Sequence, residues 1–207
     1  MPVEHLGIDK IQVALRFAQA GQSYTEHAVV QKKIAQQLFD LIEQYCPEKV
    51  NNVFEIGCGS GNLSHLLIKN LDINHIILND LYTEIQHHFQ NNPEIQYLIG
   101  DIERIDFPQN IDFIASSSVL QWVGHLDAVL QKAKQSLNTQ GLLCFSTFAQ
   151  KNLQEIKTLT GQGLDYLSLI NIQEKLHQNG FEILHLSEQI ESMYFSHPKQ
   201  VLQHIKA

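Results

Sequence analysis

Apolar residues along the chain follow two rhythms, one helical and one in short continuous runs. From Asp9 to about Ala20, Ile11, Ala14, Leu15 and Ala18 recur at helical spacing, and Gly21-Gln22-Ser23 breaks the pattern. A longer amphipathic stretch places Ile34, Leu38, Leu41, Ile42 and Tyr45 on one face, with Lys32, Lys33, Gln36, Gln37, Asp40 and Glu43 elsewhere. Cys46-Pro47 ends it, because the residue before a proline is pushed out of helical backbone. Beyond that point apolar runs at Val53–Gly57, His75–Asp80, Ile95–Ile99, Ile111–Ser116 and Leu142–Phe148 read as buried strands. Between them Asn62–Asn70, Tyr82–Asn91 and His125–Leu137 read as helices, the last turning Leu126, Val129, Leu130, Ala133 and Leu137 inward. Ile170–Asn179 is a further helix stopped by Gly180, Phe181–Met193 reads as a sixth strand, and Pro198–Lys206 begins another helix. Strands alternating with helices predict an α/β fold with a doubly wound, mostly parallel sheet. The expected organisation is a single domain over 1–207, with a helical cap at 1–48 over the ligand site and a core at 49–207.

Composition narrows the class. A chain of 207 residues, 43% apolar and 17% charged, is that of one globular domain with a full core. No apolar run approaches the ~20 residues that a membrane span needs. The N-terminus lacks the basic and apolar regions of a signal peptide, and the three cysteines, Cys46, Cys58 and Cys144, show no metal-ligand spacing. A reducing cytoplasm is the expected setting. The net charge of −8 argues against a general nucleic-acid binder. His87 and His88 are adjacent and point to different sides of a helix, so they predict no shared metal.

The chemistry concentrates at Val53-Phe54-Glu55-Ile56-Gly57-Cys58-Gly59-Ser60-Gly61, where a strand runs into alternate glycines and then a helix. Such a turn lets a ligand approach the backbone at a helix start. The Gly-x-Gly-x-Gly spacing differs from the dinucleotide fingerprint, whose third glycine falls one turn into the helix. Asp80 ends the second strand, where a carboxylate can accept hydrogen bonds from vicinal ribose hydroxyls or cap the next helix; position alone leaves both open. No hydrolase-type nucleophile elbow surrounds Ser116–Ser118.

The glycine spacing with Glu55 ahead of it resembles motif I of the class I S-adenosylmethionine-dependent methyltransferases. That resemblance implies a Rossmann-like sheet and S-adenosylmethionine as cofactor, held by Glu55, Gly57, Gly59, Gly61, Asp80, Leu81, Asp101, Ile102 and Ser117. Leu81 would pack on the adenine, Asp101 would accept from its amino group, and the backbone near Ser117 would receive the methionine ammonium. Over essentially the whole chain the likeness is narrower. Arg16-Phe17-Ala18, Ser23–Ala28, Gln31-Lys32-Lys33, Ser118-Val119-Leu120-Gln121-Trp122-Val123, Phe145–Phe148, Asn152–Glu155 and Thr160–Tyr166 resemble the malonyl-acyl-carrier-protein O-methyltransferases of biotin synthesis. The family resemblance implies methyl transfer to the carboxylate of a malonyl thioester on acyl carrier protein, or on coenzyme A. It also implies a lid that includes Tyr24, and substrate contacts at Arg16, Gln121 and Trp122. It implies neither a metal nor a general base. Class I sheets have seven strands against the six counted, so a C-terminal strand is expected to be missing. Alternatives are another small-molecule methyltransferase and a non-catalytic remnant that binds cofactor or carrier.

Overall fold

The computed structural model describes residues 29–89, 92–161 and 163–201. The first expected helix, Arg16 and Tyr24 lie outside the described residues. Helix α1 is Val29–Tyr45, followed by β1 (Lys49–Ile56), α2 (Ser64–Asn70), β2 (Asp72–Asp80), β3 (Ile95–Ile99) and β4 (Ile111–Ser117). Then come α3 (Leu126–Ser136), β5 (Leu137–Ser146), α4 (Gln154–Thr160) and α5 (Leu169–Gln178). The strands form one five-stranded sheet in the order β3-β2-β1-β4-β5, and every pair is parallel. From β1 the chain winds to β2 and β3 on one side, then returns to β4 and β5 on the other. The strand order therefore reverses between β1 and β4, and a ligand crevice opens beyond their C-terminal ends.

Burial explains why the central strands carry unbroken apolar runs. Val53, Phe54 and Ile56 of β1 and Phe113, Ile114 and Ala115 of β4 are covered on both faces of the sheet. On one face Val53, Ile76, Leu78 and Phe113 pack with Leu63 and Leu67 and with α1. On the other, Phe54, Ile56 and Ile114 pack with Val129 and Ala133 of α3, and the Phe54 and Phe107 rings meet edge-on at 5.3 Å. Helix α5 seats Ile172 and Leu176 on Leu130, and Lys175 reaches Asp127 at 2.5 Å.

Several elements differ from the expectation. The buried stripe of α1 is Ala35, Leu38, Phe39 and Ile42, an i, i+3, i+4, i+7 set in which small Ala35 lets the helix approach the sheet. Ile34 and Leu41 are only half-buried, and Tyr45 is exposed. The segment after β2 forms a 3-10 helix over Thr83–His88 instead of an α-helix. Only Ile85 and Phe89 anchor it in the core, too few to sustain an amphipathic face. Strand β5 starts at Leu137, five positions ahead of Leu142, and absorbs an irregularity in its pairing between Ile111 and Phe113. Helix α4 is additional to the elements read from the sequence, and ends at Gly161 with φ +68°.

Phe181–Met193 does not form the sixth strand. It lines a wide cleft together with β5, its Phe181 and Ile183 sharing an apolar cluster with Leu143 and Phe145, and is tied toward α1 by Lys33–Glu191 at 2.7 Å and Gln37–Gln189 at 3.4 Å. Extended backbone without a neighbouring ladder has no strand to join, so the sheet among the described residues stops at β5.

Candidate cofactor site

The glycine loop leaves β1 and turns over the end of β2. The Cys58 N–H donates to the Asn79 carbonyl at 2.9 Å, and the Gly61 N–H to the Cys58 carbonyl at 2.9 Å. Gly57 has φ +68°, and a β-carbon there would stand 2.3 Å from Val119 Cγ2. Only glycine fits that backbone and that contact. Gly59 has φ +52°, and a β-carbon there would meet nothing within 4 Å, so its face is open toward the crevice. Gly61 does not line the cavity; it backs against His65, whose Nδ1 lies 2.6 Å from the Gly61 carbonyl oxygen.

Asp80 clips this loop in place. Its Oδ2 accepts from the Gly59 N–H at 2.8 Å and its Oδ1 from the Leu81 N–H at 2.7 Å. Burial raises its pKa, while the N–H groups of Gly59, Leu81 and Tyr82 pull it down. With three N–H groups on its two oxygens, the carboxylate keeps one acceptor position for a ligand's hydroxyl. Glu55, near the end of β1, is only 1% exposed. Its burial pushes the carboxyl up to about 8, and the Asp80 charge adds to this. The Ser64 hydroxyl lies near enough to lower it in part, yet neither Glu55 Oε2 nor Ser64 Oγ completes a hydrogen bond. Cys58 sits beside both acids, and its buried thiol is held well above the usual range, so it is protonated and no nucleophile.

The opposite wall comes from the ends of β3 and β4. Asp101 Oδ1 accepts from the Glu103 N–H at 3.0 Å, which folds the turn that carries Ile102. Glu55, Gly57, Gly59, Asp80, Leu81, Asp101, Ile102 and Ser117 all line one cavity. Trp122 lines it as well, whereas Gln121 lines only the wide cleft beyond.

Sequence reasoning passed over several contributors. Asn79 is 2% exposed and donates from Nδ2 to the carbonyls of Leu98 at 2.8 Å and Gly100 at 3.0 Å, pinning the end of β3. A polar residue inside an apolar run was the available signal. His88 also lines the cavity, with a pKa lowered mainly by burial, and Glu103 accepts from the N–H groups of Gly124 and His125 to cap α3.

Neither Lys nor Arg is among the described residues lining this cavity, while Glu55, Asp80 and Asp101 face it. A pyrophosphate would meet carboxylates there, which disfavours a dinucleotide. A ligand with ribose hydroxyls and positive charge suits the same groups. The unpartnered Glu55 Oε2 and the remaining acceptor position of Asp80 therefore fit S-adenosylmethionine, which offers an ammonium, a sulfonium and a vicinal diol.

A family model described as a methyltransferase domain matches residues 30–186. The chain is 45% identical over 202 residues to the malonyl-[acyl-carrier protein] O-methyltransferase of Acinetobacter baylyi, covering 98% of this chain and 79% of that protein. The chain belongs to the malonyl-[acyl-carrier protein] O-methyltransferase family. Another family member, from Bacteroides fragilis, is 40% identical over 95% of this chain and 41% of its own length. The fold is also that of an S-adenosylmethionine-dependent methyltransferase from Mesorhizobium loti, at a TM-score of 0.60 and 17% identity, covering 70% of this chain and 81% of that one. The fold of a methyltransferase domain thus holds for this family member.

Proposed function

We propose that this chain transfers a methyl group from S-adenosylmethionine to the free carboxylate of a malonyl thioester on acyl carrier protein. The product would be the malonyl methyl ester that feeds biotin synthesis. The observation that carries this reading is the 45% identity over 202 residues, 98% of the chain, to a malonyl-[acyl-carrier protein] O-methyltransferase. A malonyl group on coenzyme A is the related acceptor, and the cytoplasm is the compartment that suits the three unpaired cysteines.

Bound S-adenosylmethionine supplies an electrophilic methyl group on a positively charged sulfur. The residues of this chain orient and desolvate around it. In this reading Gly57 and Gly59 keep the loop open, Asp80 accepts from a ribose hydroxyl, and Leu81 and Ile102 flank the adenine. Asp101 accepts from the adenine amino group, while Glu55 and the backbone near Ser117 face the methionine ammonium. The acceptor carboxylate needs no base, because a carboxyl group that titrates near pH ~4 is already ionised at neutral pH. Its rate would come from alignment with the methyl group and removal from water. Esterification then removes a charge from the acyl chain, which lets it enter apolar sites closed to a carboxylate.

Comparing acceptors tests the assignment. Malonyl-carrier protein, malonyl-coenzyme A and free malonate would compete for limiting cofactor, with kcat/KM highest for the carrier-bound form. A free acid methylated as efficiently as the carrier-bound form would instead favour the small-molecule methyltransferase reading.

A further inference from the structure

The cavity and the wide cleft share one partition, and its geometry is unusual. Ser118, at the end of β4, has φ +57°, a left-handed backbone that non-glycine residues rarely adopt. Its N–H donates to the Ser146 carbonyl at 3.0 Å and lies 3.3 Å from Ser146 Oγ. Gln121 Nε2 donates to the Ser118 carbonyl at 2.6 Å, and Thr147 Oγ1 donates to Gln121 Oε1 at 3.2 Å. The end of β5 therefore holds the Ser118 N–H directly through Ser146 and its carbonyl through Thr147 and the Gln121 amide. Next along the chain, Val119 fills the space over Gly57. Ser118 and Trp122 line both the cavity and the cleft, while Gln121 and Thr147 line only the cleft.

We propose that Gln121 is a positioning residue, which together with Thr147 latches Ser118 in its left-handed conformation and so fixes the partition across which the methyl group passes. The amide is engaged at both its oxygen and its nitrogen by this chain, which assigns it to holding the wall. The latch also braces Val119 against the glycine loop, which couples the cleft-side end of β5 to the cavity. This proposal rests on the methyltransferase reading for its kinetic consequence, but the latch itself has readouts that need no turnover.

The test uses the full chain. Gln121→Ala should lower kcat by ~10-fold or more, while KM for malonyl-carrier protein and the Kd for S-adenosylhomocysteine stay within about twofold. Thr147→Val, which removes the hydroxyl donor from the other side, should lower kcat in the same direction, and Thr147→Ser should retain the turnover. Adding Ser118→Gly to Gln121→Ala should recover part of the lost kcat, because glycine takes φ +57° without a latch. Trp122 is the only tryptophan of the chain and ends the same turn, so acrylamide quenching of its fluorescence should increase in Gln121→Ala and in Thr147→Val. A rise in KM at unchanged kcat, or no recovery with Ser118→Gly, would overturn the proposal in favour of direct substrate contact. Unchanged Trp122 quenching in both variants would overturn it as well. If the parent chain fails to methylate malonyl-carrier protein, the functional reading fails, and the Trp122 quenching still decides the latch.

Discussion

Glu55 shows what a single buried residue imposes on this molecule. Its carboxyl is raised from an ordinary value of 4.5 to about 8, mainly because burial disfavours the charged form. Between those two pH values the folded chain holds a proton that the unfolded chain releases. The stabilising effect of a neutral Glu55 is thus fully present below about pH 4.5 and is lost as pH rises toward about 8. Glu55→Gln should flatten the decline of Tm across that window and leave the chain the more stable one at its alkaline end, which thermal melts at several pH values would check. The same substitution should weaken S-adenosylmethionine binding at pH 8, since an amide cannot offset an ammonium. Gly57→Ala is expected to be worse for folding. Its β-carbon would collide with Val119 and occupy a left-handed backbone, at a cost of about 1–3 kcal/mol in urea unfolding, with cofactor binding lost in parallel. At this scale the sequence disclosed those residues whose position follows from a strand end, such as Glu55, Gly57 and Asp80. Asn79 and His88 were not disclosed, because their roles depend on which carbonyls and which cavity the third strand and the 3-10 helix bring near.

Elements were legible where an apolar run had one possible place in the fold. The strands at Ile95–Ile99 and Ile111–Ser117 closely match the expected bounds, and each of the five strands of the sheet was recognisable as an apolar run, β5 from Leu142 onward. Pairing was not legible. Phe181–Met193 has the composition of a strand, but a strand exists only through its neighbour, and this segment pairs with none of the described strands. Likewise Thr83–His88 has helical periodicity and too little buried surface to use it. Local capping is more dependable. Ser168 opens α5 with a capping box, its Oγ accepting from the Asn171 N–H at 3.1 Å. Ser168→Ala should cost ~1 kcal/mol of stability in denaturant titrations, with little effect on cofactor binding.

For the whole molecule the open physical question is charge. Under the proposed function, a chain at −8 must present a local basic surface to an acidic carrier protein. The structure narrows the choice among its lysines. Lys33 pairs with Glu191 and Lys157 with Asp165, Lys132 donates to the carbonyls of Glu103 and Ile105, and Lys134 lies 5.3 Å from the Phe181 ring. Lys151 is exposed just beyond β5, at the rim of the wide cleft that adjoins the cofactor cavity. Lys151→Glu should raise KM for malonyl-carrier protein several-fold and leave malonyl-coenzyme A nearly unaffected, a contrast that fades at high salt. The most direct test of the central claim is transfer of label from methyl-labelled S-adenosylmethionine to malonyl-carrier protein, with unloaded carrier beside it. Base-labile label confined to the malonyl-loaded carrier is the expected result. Cofactor bound by calorimetry with no label on either carrier would contradict carboxyl methylation of the malonyl thioester by this chain.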